Sequence, residues 1–426
     1  MKRRELFTAI STFFGGVLSA KSIELMSSSK RNEAGISSGS TSIFHDDGAL
    51  LTLGVYPVVD KNYAHESILT KIALSDGKVT RTHVPIHTGH YIDNFGSDEF
   101  LCIGYKSNTV VKIIGENLKI IKSQNLTEGF YSSGHCVSDE IYVYLPVFSI
   151  SDYSQPDSKI EVRRKSDLSQ VAVFDFDIST GVHDLAINND RLFILASSNE
   201  QEYGDYDYDY DPEKSSLIVM DISDPKKPQI IDIIKTPGNY TFSHIDVNKA
   251  GNVIIGTVQR MDKGKPDDSD SRFQKINKEL KKMTDETIFP ITDREHLKNK
   301  FVIPTPFLVY RPKTGELFER FHEDRTKHRR LFTVRTIQNK TYIGCAYSDA
   351  VLVIDDDGNI SNTLTSSDYG VNIVRGIAPI KDGRKYIAFG DADLGVSIVD
   401  TKTYQLVRKY NVRLNVSSHL TYCPSA

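Results

Sequence analysis

Short apolar runs bounded by polar turns recur along most of the chain, and many of them alternate apolar with polar residues. Alternation with a period of two is expected of strands that bury one face, because successive side chains point to opposite sides. ALLTLGVY at 49–56, ILTKIAL at 68–74 and the stretch 79–86 read as three such strands, the last two joined through Ser75-Asp76-Gly77. SLIVMDI at 216–222 and LGVSIVD at 394–400 read as outer strands of their units. They lead into polar turns, with an Asp at the strand end in each case (Asp221, Asp400), as also at Asp355 before the turn DDDG at 355–358. Amphipathic strands such as QLVRKY at 405–410 follow, the sequence of events expected for antiparallel hairpins.

A longer frame overlies these strands. A histidine follows a small or turn-forming stretch, then come a few residues, a polar turn and a β-rich run. It reads TGH-YID at His90, SGH-CVSDEIYVYL at His135, GVH-DLAINNDRLFIL at His183, FSH-IDVNKAGNVIIG at His244 and SSH-LTY at His419. The frame recurs without its histidine at Arg335 (VR-TIQNKTYIGC) and Arg375 (VRG-IAPIKDGRKYIAF), and His135 aligns with Arg335 without a gap through Tyr142 and Tyr342. An alternative alignment of DGRKYI with NDRLFI puts Gly376 in the place of Arg375. A period of roughly 40–50 residues with about four short strands per unit predicts a β-propeller. Seven inner strands can be counted. The first unit, however, has three strands and lacks its innermost, which residues 419–422 can supply; closing the ring this way removes two open sheet edges. The expected fold is all-β: a seven-bladed β-propeller over residues 43–426, closed by the C-terminal strand and carrying one helical insertion.

Two segments interrupt the rhythm. Residues 199–215 place Asp205, Asp207, Asp209, Asp211 and Glu213 on alternate positions among tyrosines. Clustered oxygens suit calcium, but no Asp–Gly calcium-loop spacing accompanies them, and a solvated acidic loop is the preferred reading. Residues 261–300, polar and helix-prone through KINKELKKM and REHLKNK, are expected to form a helical excursion over one face.

The first twenty residues form an export signal, with Lys2, Arg3 and Arg4 preceding a short apolar stretch that ends at Ala20. This stretch is too short to span a bilayer, so removal is expected rather than anchoring. Arg3-Arg4 followed by Glu5-Leu6-Phe7 resembles the twin-arginine motif; its usual flanking Ser and Lys are missing, and the general secretory route stays open. A periplasmic location follows as an expectation. Ser-rich residues 21–42 read as a flexible linker. With a net charge of −4 and no basic stripe to neutralise phosphates, nucleic acid is not an expected partner. Cys102, Cys136, Cys345 and Cys423 match no zinc spacing. One bridge is allowed in an oxidising compartment, and burial as small apolar residues is the simpler expectation.

FYSSGH at 130–135, GVHDLAI at 181–187, TPFLVYRPKTGELFERF at 305–321 and LFTVRTI at 331–337 resemble elements of a family of exported bacterial proteins of unassigned function. The family carries a twin-arginine signal and a seven-bladed propeller of the YVTN type, and this chain looks like a divergent member. Asp184 stands where the family has Glu, and Thr336 where it has His, beside a retained Arg335. The resemblance implies iron or redox physiology and carries no defined activity.

Equivalent positions of successive blades meet around one axis. His90, His135, His183, His244 and His419, flanked by Arg335 and Arg375, are therefore expected to converge at a channel mouth. Neutral imidazoles suit iron, copper or zinc, whereas the two arginines favour a small anionic ligand or an anionic metal complex. Asp184 and Asp246 are candidate orienting partners. The competing reading makes these histidines structural ties between loops. No Gly-x-Ser-x-Gly elbow, His-Glu-x-x-His helix or phosphate-cradling glycine loop is present, so catalysis has no motif behind it. KHRR at 327–330 reads as a solvated turn. Three classes stay open: a monomeric exported propeller that binds a metal or small anion, a docking scaffold for another envelope protein, and a hydrolase or redox enzyme.

Overall fold

The computed structural model describes residues 44–54, 67–96, 98–149, 158–175, 181–197, 215–235, 240–258, 305–328, 331–346, 348–392, 394–414 and 419–425. The export signal, the linker, most of the acidic segment at 199–215 and the helix-prone insertion at 261–300 lie outside these residues.

Seven antiparallel sheets form the described chain. Blade 1 pairs Thr421–Cys423, innermost, with Ala49–Gly54, followed by Ser67–Ala73 and Val79–Val84. Blade 2 runs outward through Gly89–Gly96, Glu99–Gly104, Thr109–Ile114 and Lys119–Asn125. In blade 3 the inner strand is split into Phe130–Ser132 and Val137–Ser138, followed by Tyr142–Ser149, Ser158–Arg164 and Gln170–Asp175. Blade 4 comprises Gly181–Asn188, Arg191–Ser197, Ser216–Asp221 and Gln229–Lys235. Blade 5 comprises Thr241–Val247, Val253–Val258, Phe307–Arg311 and Glu316–Arg320. Blade 6 comprises Leu331–Ile337, Lys340–Cys345, Ala350–Ile354 and Ile360–Leu364. Blade 7 comprises Gly376–Ile380, Tyr386–Asp391, Gly395–Asp400 and Leu406–Tyr410. The fold is the seven-bladed β-propeller that the repeat predicts. Among the described residues, helical structure is limited to the short turns Arg325–Lys327 and Ser366–Tyr369.

The ring closes where the repeat requires it to. Ala49 pairs with Cys423, Leu50 with Tyr422 and Leu51 with Thr421, and Tyr422 donates its hydroxyl to Asp46 at 3.0 Å. An apolar cluster fills each blade–blade contact, including the last. Leu50 and Ile72 of blade 1 pack with Ala378 and Ile398 of blade 7, as Leu53 and Leu69 pack with Cys102 and Val111 on the other side. Middle strands buried on both faces read as nearly continuous apolar runs. Outer strands are polar and exposed, except where isoleucines remain on the surface. All four cysteines are free and buried, in keeping with the simpler expectation.

The second strands carry small residues where neighbouring chain must come close. A Cβ on Gly256 would meet the Leu331 carbonyl oxygen, and one on Gly344 the Val374 carbonyl oxygen. Each glycine thus lets the next blade press its backbone inward, just before Phe332 in one case and Arg375 in the other.

Candidate functional site

Each blade sends one side chain into a single axial layer: His419 from blade 1, then His90, His135, His183, His244, Phe332 and Arg375. In four inner strands the pairing register slips at this residue. The slips span His90, the pair His183 and Asp184, the pair Ser243 and His244, and Phe332. A bulge inserts an unpaired residue and re-aims its side chain, which is how alternating strands can all deliver a residue to one place. Blade 3 reaches the same result with a break. Gly134 adopts a left-handed φ of +99° and packs so close to His90 that a Cβ would sit 2.9 Å from the imidazole Cδ2. That conformation swings His135 toward His90.

His135 is the hub of the cluster. Its ring centroid lies 4.8 Å from that of His90, 4.9 Å from His244, 5.2 Å from His183 and 5.4 Å from His419. His90 and His419 are 5.0 Å apart, His183 and His244 5.3 Å. The nitrogens form two overlapping triads, His90–His135–His419 and His135–His183–His244, each with its ligand atoms within 4.8 Å of one another. The Nε2 atoms of His90 and His135 are 3.1 Å apart. Two imidazoles on one tetrahedral ion, at metal–nitrogen distances of about 2.0–2.1 Å, would have their nitrogens about 3.3 Å apart.

Burial governs the electrostatics. It pushes the imidazole of His90 down to about 3, and the neighbouring His244, His183 and Arg375 disfavour a second positive charge there. His135 and His419 are likewise held well below the usual imidazole range, first by burial and then by neighbouring histidines. These three rings are therefore neutral at neutral pH, the state in which imidazole binds metal. His135, His244 and His419 are buried, while His90 and His183 are only half-buried and leave the cluster accessible. His419 Nε2 is buried with no hydrogen-bond partner among the described residues.

Asp184 orients the cluster from the neighbouring blade. Its Oδ2 accepts from Nδ1–H of His244 at 3.1 Å, and its Oδ1 lies 3.7 Å from Nδ1 of His135. The backbone N–H groups of Leu185 and Ile245 hold this carboxylate in place. Donation from Nδ1 fixes the His244 tautomer and leaves the lone pair on Nε2. Phe332 closes the remaining arc, stacked against His419 at 6.4 Å and edge-on to His244 at 5.2 Å, with the Arg375 guanidinium 5.3 Å over its ring.

Six of the seven side chains expected to converge thus do so: the five histidines and Arg375, with Arg375 rather than Gly376 facing the ring. Arg335 lies farther along the axis. The gapless match of His135 to Arg335 counts residues rather than strand pairs. In blade 6 the hairpin closes at Ile337 and Lys340, and Arg335 pairs with Tyr342; in blade 3 it closes at Asp139 and Tyr142, four residues beyond His135. The slip is two residues, which keeps the face but moves the side chain about 7 Å along the strand. There Arg335 is held charged by Tyr91, with which it hydrogen-bonds, and by Asp246 and Asp93. Asp246 accepts from the backbone N–H of Thr336 at 2.7 Å, and Asp93 from the Ser138 hydroxyl at 2.6 Å. Asp246 therefore serves this second layer. Tyr91 links the layers, its ring 5.4 Å from His135 and 5.7 Å from His419. Phe332 and Tyr91 carry no sequence signal of their own; the Ile–Gly pairs at 103–104, 255–256 and 343–344, which fix the register of the second strands, would have located them.

A beta propeller domain family matches residues 137–315, less than half of the chain. No curated protein matches in sequence. Among solved structures, hydrazine synthase of Kuenenia stuttgartiensis is similar at 10% identity with a TM-score of 0.53, covering 80% of this chain and 90% of that one. Apo AztD of Citrobacter koseri (11% identity, TM-score 0.48, 88% and 98% covered) and the Cps50 (Swd1) propeller domain of Myceliophteria thermophila (9%, 0.48, 76% and 85%) are also similar. At these identities the likeness is one of fold alone. Among the described residues, no helix is long and apolar enough to cross a membrane.

Proposed function

We propose that this chain is an exported propeller that binds a transition metal ion on its axial histidine cluster. The observation that carries the reading is the convergence of five imidazoles from five blades, neighbours about 5 Å apart, with His419 Nε2 buried and without a hydrogen-bond partner among the described residues. Packing alone gives no reason to gather so many nitrogens of one kind, since a neutral ring offers one donor and one acceptor and like groups saturate one another poorly. Copper, zinc and iron all suit imidazole, and copper(II) heads the affinity order. With Arg335 matched by its own acids, one arginine accompanies the histidines rather than two, which weakens the case for an anion as the primary ligand. The basic, apolar and small-residue order of residues 2–20 supports export.

Elemental analysis of protein purified from its native envelope tests this reading. We expect stoichiometric copper, zinc or iron, lost in the His135→Ala/His183→Ala double variant while the β-rich circular dichroism spectrum is kept. Metal-free native protein that also fails to take up any of the three ions would overturn the reading. A fusion of residues 1–42 to a reporter, scored for periplasmic activity, tests export separately.

A second reading, a docking scaffold, is favoured by exposed Ile230, Ile231 and Ile233 on the outermost strand of blade 4. Co-purification of one envelope protein, lost on Ile231→Asp, would support it.

A further inference from the structure

The two histidine triads are not independent, because both contain His135. One imidazole nitrogen can serve only one metal ion, yet the ring has two nitrogens. In His135 they face different ways. Nε2 lies 3.1 Å from Nε2 of His90, within the triad completed by His419. Nδ1 lies 3.7 Å from Asp184, whose other oxygen is 3.1 Å from Nδ1 of His244, a member of the second triad. One nitrogen of the hub ring thus meets a histidine of the first triad, and the other faces a carboxylate that also holds a histidine of the second. The ring is buried at 2% exposure, with Tyr91 also against it at 5.4 Å.

We infer that the cluster is a two-ion centre in which His135 bridges the metals, Nε2 serving one and Nδ1 the other. One position is built from His90, His419 and His135, the second from His183, His244 and His135, with Asp184 beside it. Neutral imidazole carries one N–H, so binding the second ion releases that proton to solvent and leaves His135 as an imidazolate. The carboxylate of Asp184 lies where it offsets part of the second ion's charge. Each position has three nitrogens and needs solvent to complete its coordination, which the half-buried His90 and His183 admit.

This inference rests on the metal reading above, and a copper(II) titration of the full chain followed by electron paramagnetic resonance separates the two. We expect two coppers bound per chain. The first equivalent gives an ordinary single-ion signal, and the second reduces it as the two spins couple through the shared ring. His419→Ala and His183→Ala, each removing one position, are expected to bind a single copper with a full, uncoupled signal. Saturation of the unmodified chain at one copper, or two coppers giving twice the single-ion signal, overturns the bridge while leaving the metal reading intact. Failure to bind copper, zinc or iron at all overturns both.

Discussion

Two polar layers lie next to each other on the propeller axis, and they differ in how their charges and hydrogen bonds are met. In the Arg335 layer unlike groups face one another. The guanidinium meets Tyr91, Asp246 and Asp93, and the two carboxylates also receive the Thr336 N–H and the Ser138 hydroxyl. In the histidine layer like faces like, and Asp184 is the acid in contact with the rings. The first arrangement is what a buried polar network needs for stability alone. The second leaves His419 Nε2 buried without a hydrogen-bond partner among the described residues, the opening that the proposed metal would fill. Both layers were candidates when residue types alone were considered; matching of partners separates them.

The sharpest way to break the contrast is to remove the hub. His135→Ala deletes a ligand from both triads and is expected to abolish metal retention through dialysis, whereas His90→Ala, which touches one triad, leaves part of it. Equal loss in the two variants would show that His135 has no special place. The next effect belongs to the other layer. Asp246→Ala leaves the half-buried Arg335 guanidinium short of an acid and is expected to cost about 1–3 kcal/mol in denaturant unfolding, with metal content per folded molecule unchanged. A change in metal content there would merge the two layers into one site. A smaller effect is expected of Asp184→Asn, which keeps the shape but loses the charge that orients His244. Metal affinity should fall by about 10–100-fold with little change in unfolding midpoint. Smallest is Gly134→Ala, which forces an alanine into the left-handed region at about 1–2 kcal/mol and presses on His90. Its metal affinity should fall more than its stability predicts, and a purely thermal effect would remove the loop's role in aiming His135.

The architecture was open to reading because a closed repeat leaves several concordant marks. Alternating strands, the recurring histidine frame and an orphan innermost strand at 419–422 agree on seven blades and on where the ring shuts. The histidine cluster was legible for the same reason, since equivalent positions converge whatever the loops do. Arg335 was misplaced because pairing in blade 6 is offset by two residues from blade 3, and hairpin length, not residue similarity, sets that offset. Phe332 has no side-chain signature of its own because its place in the layer comes from a bulge, and only the Ile–Gly register of the second strand points to it. Asp184 was suspected as a partner of its own neighbour His183. Its carboxylate, however, reaches His135 and His244 on the blades to either side, and that crossing depends on the packing between blades.

Closure has a temporal side as well. His419 reaches the cluster only because residues 421–423 latch onto Ala49–Gly54, so the fifth histidine arrives when the seam is fastened. A metal gripped in part by His419 would rivet that seam. Unfastening it would first require a coordination bond to break, and only then would the strand edge at 49–54 be bared to other chains. Metal supply would thereby set how long the circle stays shut, and a starved molecule would be the one that opens, sheds its last strand and becomes sticky.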